Sequence, residues 1–308
     1  VQESKDTTVL LPELLPFICQ TDAFSEHAVG TSAGSLSPRT NWTNLADFEF
    51  ALPPTHEQMR LVDAFSAFDE QIDALEHTFL SARTLKNSLA ESSFPVSEVK
   101  SYLNAPEQYS GRALTPLREL ATLQVGYPFK SAQYSSEGDR LLRGSNVGVN
   151  RLNWEEEITC YWPIERRSEV SEYVLAIGDI VVAMDRPFIS EGFKIARIAQ
   201  GDLPALLLQR VGRFKIGGHV EANYLWAFLH SESFKWQLQR MQKGTDLPHI
   251  SKFDIEGTLI PKMTLDVQAA VAECFLEIDA SISALEARMA SARCQRQLIL
   301  HAALGGEV

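Results

Sequence analysis

The stretch FSAFDEQIDALEHTFLSARTLKNSL, from Phe65 to Leu89, returns 210 residues later as FLEIDASISALEARMASARCQRQLI, from Phe275 to Ile299. Identical pairs at that offset include Phe65 with Phe275, Asp69 with Asp279, Ile72 with Ile282, and Leu75-Glu76 with Leu285-Glu286. Ser81-Ala82-Arg83 likewise recurs as Ser291-Ala292-Arg293. In the first copy Leu61, Phe65, Phe68, Ile72, Leu75, Phe79 and Ala82 advance by alternating steps of four and three. Val271, Phe275, Ile278, Ile282, Leu285, Met289 and Ala292 repeat those steps. This is a heptad seam, and it predicts two long helices packed on each other as a coiled coil, with an antiparallel pair the expected arrangement. Two core helices of one bundle is the alternative. Thr55-x-x-Gln58 after Pro53-Pro54 predicts a capping box at the first helix, which Pro95 closes. About 35 residues at ~1.5 Å each make a rod of roughly 50 Å.

The offset extends upstream. It pairs Phe24 with Phe234, Gly34 with Gly244 and Pro38 with Pro248, so VLLPELLPFICQTDAF (from Val9) corresponds to VEANYLWAFLHSESF (from Val220). A small insertion or deletion is expected around Phe50 and Ile260. Between the helices the texture changes to short apolar runs broken by Gly, Asn and Pro. Val174 to Met184 and Leu203 to Ile216 read as strands with tight turns, whereas Tyr224 to Gln239 has helical spacing. The expected fold class is α+β, with two long helices flanking a mixed domain. Four segments follow: 1–52, matching only the end of that domain; a helix over 53–95; a complete domain over 111–262; and a helix over 263–304.

Composition narrows the function classes. The 308 residues are 45% hydrophobic and 22% charged, which fits a globular protein of more than one domain. No apolar run approaches the roughly 20 residues of a membrane helix. The opening Val1 reads as a processed or truncated start. Cys19, Cys160, Cys274 and Cys294 are too scattered for a zinc site or a disulfide framework, so no metal and a reducing cytoplasm are expected. The net charge of -12 argues against a nucleic-acid partner until its distribution is read. Between Gly111 and Ile260 lie 18 basic and 18 acidic residues, and the whole excess falls outside that window. The middle of the chain can still present a basic face.

A search for chemistry comes out negative. Gly144-x-x-x-Gly148 lacks the GK[ST] of a phosphate-binding loop, and GxSxG and HExxH are absent. No NPPY- or DPPY-like run occurs, and Glu155-Glu156-Glu157 reads as a solvated turn.

The order of motifs resembles the specificity subunit of type I restriction–modification systems. The resemblance rests on LQVGYPFKSAQY (from Leu123), LLRGSNVG (from Leu141), IGDIVVAM (from Ile177) and LPALLLQRVGRF (from Leu203). It also rests on VGTSAGSLSPRTNWTNLADFEFALPPTHEQ (from Val29), its weaker copy KGTDLPHISKFDIEGTLIP (from Lys243), and the helix repeat. The family alternates two target-recognition domains with long helices, and here most of the first domain is missing. The resemblance implies a non-catalytic chain that recognises double-stranded DNA at a bipartite site. It implies modification subunits that carry S-adenosylmethionine and methylate adenine, and a restriction subunit that cleaves, as a phage defence. This chain would bind no cofactor itself. A homodimer through the long helices would restore symmetry. The rival readings are a coiled-coil assembly scaffold without a DNA role, and an enzyme acting on a nucleotide.

On that reading, DNA contact falls to Arg, Lys, Asn and Gln near loops. Lys130, Tyr134, Arg143 and Asn146 form one candidate group. Gln209 and Arg210, after an apolar run, are expected to emerge at a strand end, and Arg186 precedes Pro187. Lys243, Thr245, His249, Ser251 and Lys252 form a second group, with phosphate contact in view. Its counterpart lies around Gly34, Arg39 and Asn41.

Overall fold

A computed structural model describes residues 6–32, 39–241 and 249–304 of the chain. The chain divides into two compact units, Val1–Leu85 with Ile278–Val308, and Lys86–Glu277. Two helices dominate, Thr55–Ser93 and Leu265–Leu304.

In the first unit the predicted seam is the packed face. Leu61, Phe65, Phe68, Ile72, Leu75, Phe79, Ala82, Ile278, Ile282, Leu285, Met289 and Ala292 are all buried or half-buried, and most residues between them are exposed. Leu75 packs with Leu285 and Met289, and Phe65 shares a core with Leu300 and Leu304. Asp69 pairs with Arg296 at 2.6 Å and Glu76 with Arg293 at 2.5 Å. Numbers rising on one helix meet numbers falling on the other, so the pair is antiparallel. Helices Leu15–Ile18 and Asp22–Gly30 cover one end, and Phe17 packs against Phe65 with ring centroids 4.8 Å apart and the rings tilted by 35°.

Among its described residues the second unit holds eleven short strands: β1 Leu114–Pro116, β2 Ala121–Val125, β3 Asp139–Leu142, β4 Tyr161–Trp162, β5 Ile180–Ala183, β6 Phe188–Ile189, β7 Gly192–Phe193, β8 Ile195–Arg197, β9 Ala205–Leu207, β10 Val211–Ile216 and β11 Leu259–Pro261. An antiparallel sheet runs β2-β10-β5-β8, and a second runs β4-β3-β9 with β3 and β9 parallel. Both faces of β5 are buried. Ile180 and Val182 join a core with Phe228 and Phe234 of helices Ala222–Leu229 and Glu232–Met241, whereas Val181 and Ala183 join Leu142 and Leu207 of the second sheet. Double burial explains why IVVA is a continuous apolar run rather than an alternating one. Phe94 and Phe275 close the helical side of this core. The α+β class with an antiparallel helix pair is therefore borne out.

Three details differ from expectation. Gln58 is not part of a capping box. It is 1% exposed; its Oε1 accepts from Leu11 N at 2.9 Å, and its Nε2 donates to Val9 O and Pro53 O, both at 2.8 Å. Gln268 does the same 210 residues on, accepting from Glu221 N at 2.8 Å and donating to His219 O at 3.1 Å and Met263 O at 2.9 Å. A long amide with one acceptor and two donors suits three backbone groups that have no ladder partner. The repeat is thus preserved bond for bond, and each glutamine staples its own helix start to the preceding segment.

The expected insertion or deletion is also absent. Asn41 caps helix Trp42–Ala46 and Ser251 caps helix Lys252–Glu256, so the offset is 210 before Phe50 and still 210 at the glutamines. Finally, the helical pattern over Tyr224–Gln239 is two helices. Ser231 interrupts it by donating to Phe228 O and accepting from Phe234 N, as Thr21 does with Ile18 O and Phe24 N.

Gln268→Ala leaves a buried N–H and two carbonyls unpaired, and is expected to lower unfolding free energy by about 2–5 kcal/mol in urea titration. A loss below about 0.5 kcal/mol would mean that water replaces the amide.

Candidate nucleic-acid interface

The C-terminal ends of β3, β5 and β9 open onto one cleft of about 600 Å³ in the second unit. Arg143 follows β3, Asp185 and Arg186 follow β5, Gln209 and Arg210 follow β9, and Lys194 and His249 complete the wall. Local chemistry sets each of these positions.

After β9 the chain turns tightly over Leu208–Val211, with Val211 N donating to Leu208 O at 3.1 Å. The strand β2 ends against this turn. A Cβ on Gly126 would lie 2.3 Å from the Leu208 carbonyl, so only glycine allows the backbones to meet. Tyr127 N and Gln209 N then bond Leu207 O and Tyr127 O, both at 3.0 Å. Arg210 sits at φ 71° and Arg186 at φ 43°, the left-handed region where a side-chain-bearing residue costs roughly 1–2 kcal/mol. Two strained arginines beside one cleft are the kind of outlier that function retains.

Asp185 is the carboxylate of this wall. Its Oδ1 accepts from Arg210 Nη1 at 2.9 Å and lies 2.8 Å from His249 Nδ1. The backbone reinforces that link, since Ile250 N donates to Met184 O at 3.0 Å. Lys194, 9% exposed, donates to the Gly144 carbonyl. Burial pulls its ammonium below the ordinary lysine range and Arg186 adds to that, while Asp185 opposes it. Arg143, Arg186, Lys194 and Arg210 face one carboxylate, so the cleft is strongly cationic on a chain of net charge -12. Low-dielectric walls focus such a field on an anionic or base-edge ligand.

Five of the sequence candidates meet here: Arg143, Arg186, Gln209, Arg210 and His249. The others do not line the cleft. Lys130 is exposed beside buried Phe129. Tyr134 is half-buried against the cluster of Phe129 and Trp162, and burial raises its hydroxyl pKa. Asn146 is a correction: it is fully buried, accepting from Arg143 N at 3.0 Å and donating to Asn153 O at 2.9 Å, so it shapes the turn that presents Arg143. Ser251 is another, because its hydroxyl caps a helix and donates to Asp254 Oδ2 at 2.6 Å. Lys252 pairs with Glu256 at 3.6 Å, Arg39 is exposed, and Asn41 is a cap. Lys243, Thr245 and Gly34 lie outside the described residues.

Sequence reading missed Lys194 and Asp185. A lysine between Phe193 and Ile195 breaks an apolar run, which is the available signal for the first. Nothing marks Asp185. Among the described residues no cluster of His, Cys, Asp or Glu could hold a metal ion, and no helix is long and apolar enough to cross a membrane.

The chain is 30% identical over 254 residues to the type I restriction enzyme MjaVIII specificity subunit of Methanocaldococcus jannaschii, covering 80% of this chain and 59% of that protein. It is 35% identical over 168 residues to the EcoAI specificity subunit of Escherichia coli, covering 54% of this chain and 28% of that protein. The chain is similar to type I specificity subunits over four-fifths of its own length. It thus spans about three-fifths of one curated relative and under a third of the other. No family model matches. Two solved specificity subunits share the fold, each over 96% of this chain. The HsdS subunit of Thermoanaerobacter tengcongensis superposes at TM-score 0.55 with 19% identity over 71% of its own length. The S subunit from M. genitalium gives 0.57 with 14% identity over 73%.

Two outcomes are expected from variants of the cleft. Arg210→Gly relieves the left-handed strain and removes only an exposed ion pair, so unfolding free energy rises by about 0.5–1 kcal/mol in thermal melts. A fall of more than about 1 kcal/mol would mean that the pair anchors the cleft. Lys194 has a folded pKa below its unfolded value, so the unfolded state binds more protons between the two. Stability attributable to Lys194 therefore rises with pH up to its ordinary pKa of 10.5. Lys194→Met, compared with wild type by denaturant titration in alkaline buffers, is expected to remove that rise.

Proposed function

We propose that this chain reads a DNA sequence for partner enzymes and performs no chemistry of its own. The observation that carries this is the cationic cleft at the ends of β3, β5 and β9, in a chain similar to type I specificity subunits. Its cations suit phosphates and guanine edges, and Gln209 suits adenine. The domain over residues 111–262 is the recognition module, and the helices over 53–95 and 263–304 are the spacer. Modification subunits holding S-adenosylmethionine methylate adenine at the site, and a restriction subunit cleaves unmodified DNA. The target is bipartite, with a spacer set by the helix pair.

Binding of the full chain to a 30-base-pair mixed-sequence duplex is expected to weaken steeply with salt, because phosphate contacts release counterions. Arg143→Ala and Arg186→Ala are each expected to reduce the log–log salt slope by about 0.9 for every phosphate deprived of its cation. Salt-insensitive binding, or none, would remove the DNA reading. Methylation mapping in cells co-expressing the chain with a modification subunit then tests the partner role. A bipartite adenine-methylated motif supports it, and a demonstrated complex that yields no motif counts against it.

A further inference from the structure

Asp185 is out of place in a cleft built to attract anions. A carboxylate there repels phosphate, lowers the attraction of every neighbouring cation, and sits half-exposed beside Arg210, which is itself held in a left-handed conformation. If attraction to the backbone were the cleft's whole task, this residue would oppose it. Its geometry fits a different task. Arg210 Nη1 and Asp185 Oδ1 are 2.9 Å apart and both side chains are open to the cleft, so the pair offers donors and an acceptor side by side. The major-groove edge of a G·C pair offers the complement: N7 and O6 of guanine accept, and N4 of the paired cytosine donates. Neither A·T orientation offers two adjacent acceptors to the arginine fork, because adenine N6 donates between adenine N7 and thymine O4. Two of the other cations already have partners in the chain. Lys194 is engaged by the Gly144 carbonyl, and Arg143 Nη1 donates to Cys160 Sγ at 3.4 Å.

We propose that Arg210 and Asp185 together read one G·C base pair, Arg210 donating to guanine and Asp185 accepting from the cytosine amino group. Asp185 is then the specificity-determining residue of the cleft, and it has a second effect. Its negative charge weakens binding to all other sequences. His249 Nδ1, 2.8 Å from the same oxygen, also holds the carboxylate. This inference rests on the DNA-reading function proposed above.

The test uses the full chain with two probes: a randomised duplex library for selection, and a 30-base-pair mixed-sequence duplex for affinity against salt. Wild type is expected to select a motif containing a G·C position that Asp185→Asn relaxes by roughly 5- to 150-fold, the range one good base contact supplies. The same variant is expected to bind the mixed duplex several-fold tighter, which a merely structural role would not produce. Asp185→Glu keeps the charge and moves the acceptor, so it is expected to relax that position without tightening the mixed duplex. Unchanged preference at every position in Asp185→Asn overturns the proposal, as does an even loss of affinity across all sequences. A wild-type chain that binds the mixed duplex but selects no G·C position overturns it and leaves DNA binding standing. A wild-type chain that binds neither probe removes the function on which it rests.

Discussion

Gln268 satisfies one backbone N–H and two backbone carbonyls at the start of the second long helix, and fixes that start to the segment before it. The helix start cannot shift without stripping a donor and two acceptors of their partners. Gln58 imposes the same condition on the first helix, on groups at positions 210 residues earlier. Apolar seams alone tolerate a shift of a heptad, because every a/d step looks like the next. A buried three-way amide bond does not. The polar staple therefore fixes each helix start to the segment before it, which the hydrophobic seam does not do.

The same division of labour holds in the mixed domain. Hydrophobic burial on both faces of β5 makes the sheet rigid, and strand ends then deliver polar side chains to one place. Several positions lining the cleft carry a local penalty. Arg186 and Arg210 hold left-handed backbone, and burial lowers the pKa of Lys194, whose ammonium donates to the Gly144 carbonyl. These penalties are small beside the burial energy of the surrounding core. They put charge at fixed points on a scaffold that does not depend on it.

Much of the scaffold is legible in the sequence. The heptad steps name the packed residues of both helices, and the apolar runs at Val174–Met184 and Leu203–Ile216 mark strands of the central sheet. Gln58 departs from expectation for a clear reason: Thr-x-x-Gln after prolines has the spacing of a capping box, but the amide has better partners in an upstream segment that local pattern cannot see. Asn146 departs in the same way. Its residue type suits adenine recognition, yet its short amide is closer to the turn it builds. Arg143, Arg186, Gln209, Arg210 and His249 stand out individually by type and neighbourhood, and nothing in the sequence links them to one another.

By itself the sequence determined the helix pair, its heptad faces, the internal repeat and the mixed character of the domain between them. Those features follow from periodicity, which reports which face of an element is buried and survives in one dimension. Only the tertiary structure decided that residues from Arg143 to His249 converge on one cleft, that Asp185 stands among its cations, and that the two glutamines staple the helix starts. Such convergence depends on strand pairings between segments far apart in the chain, and no local spacing encodes which loops will meet.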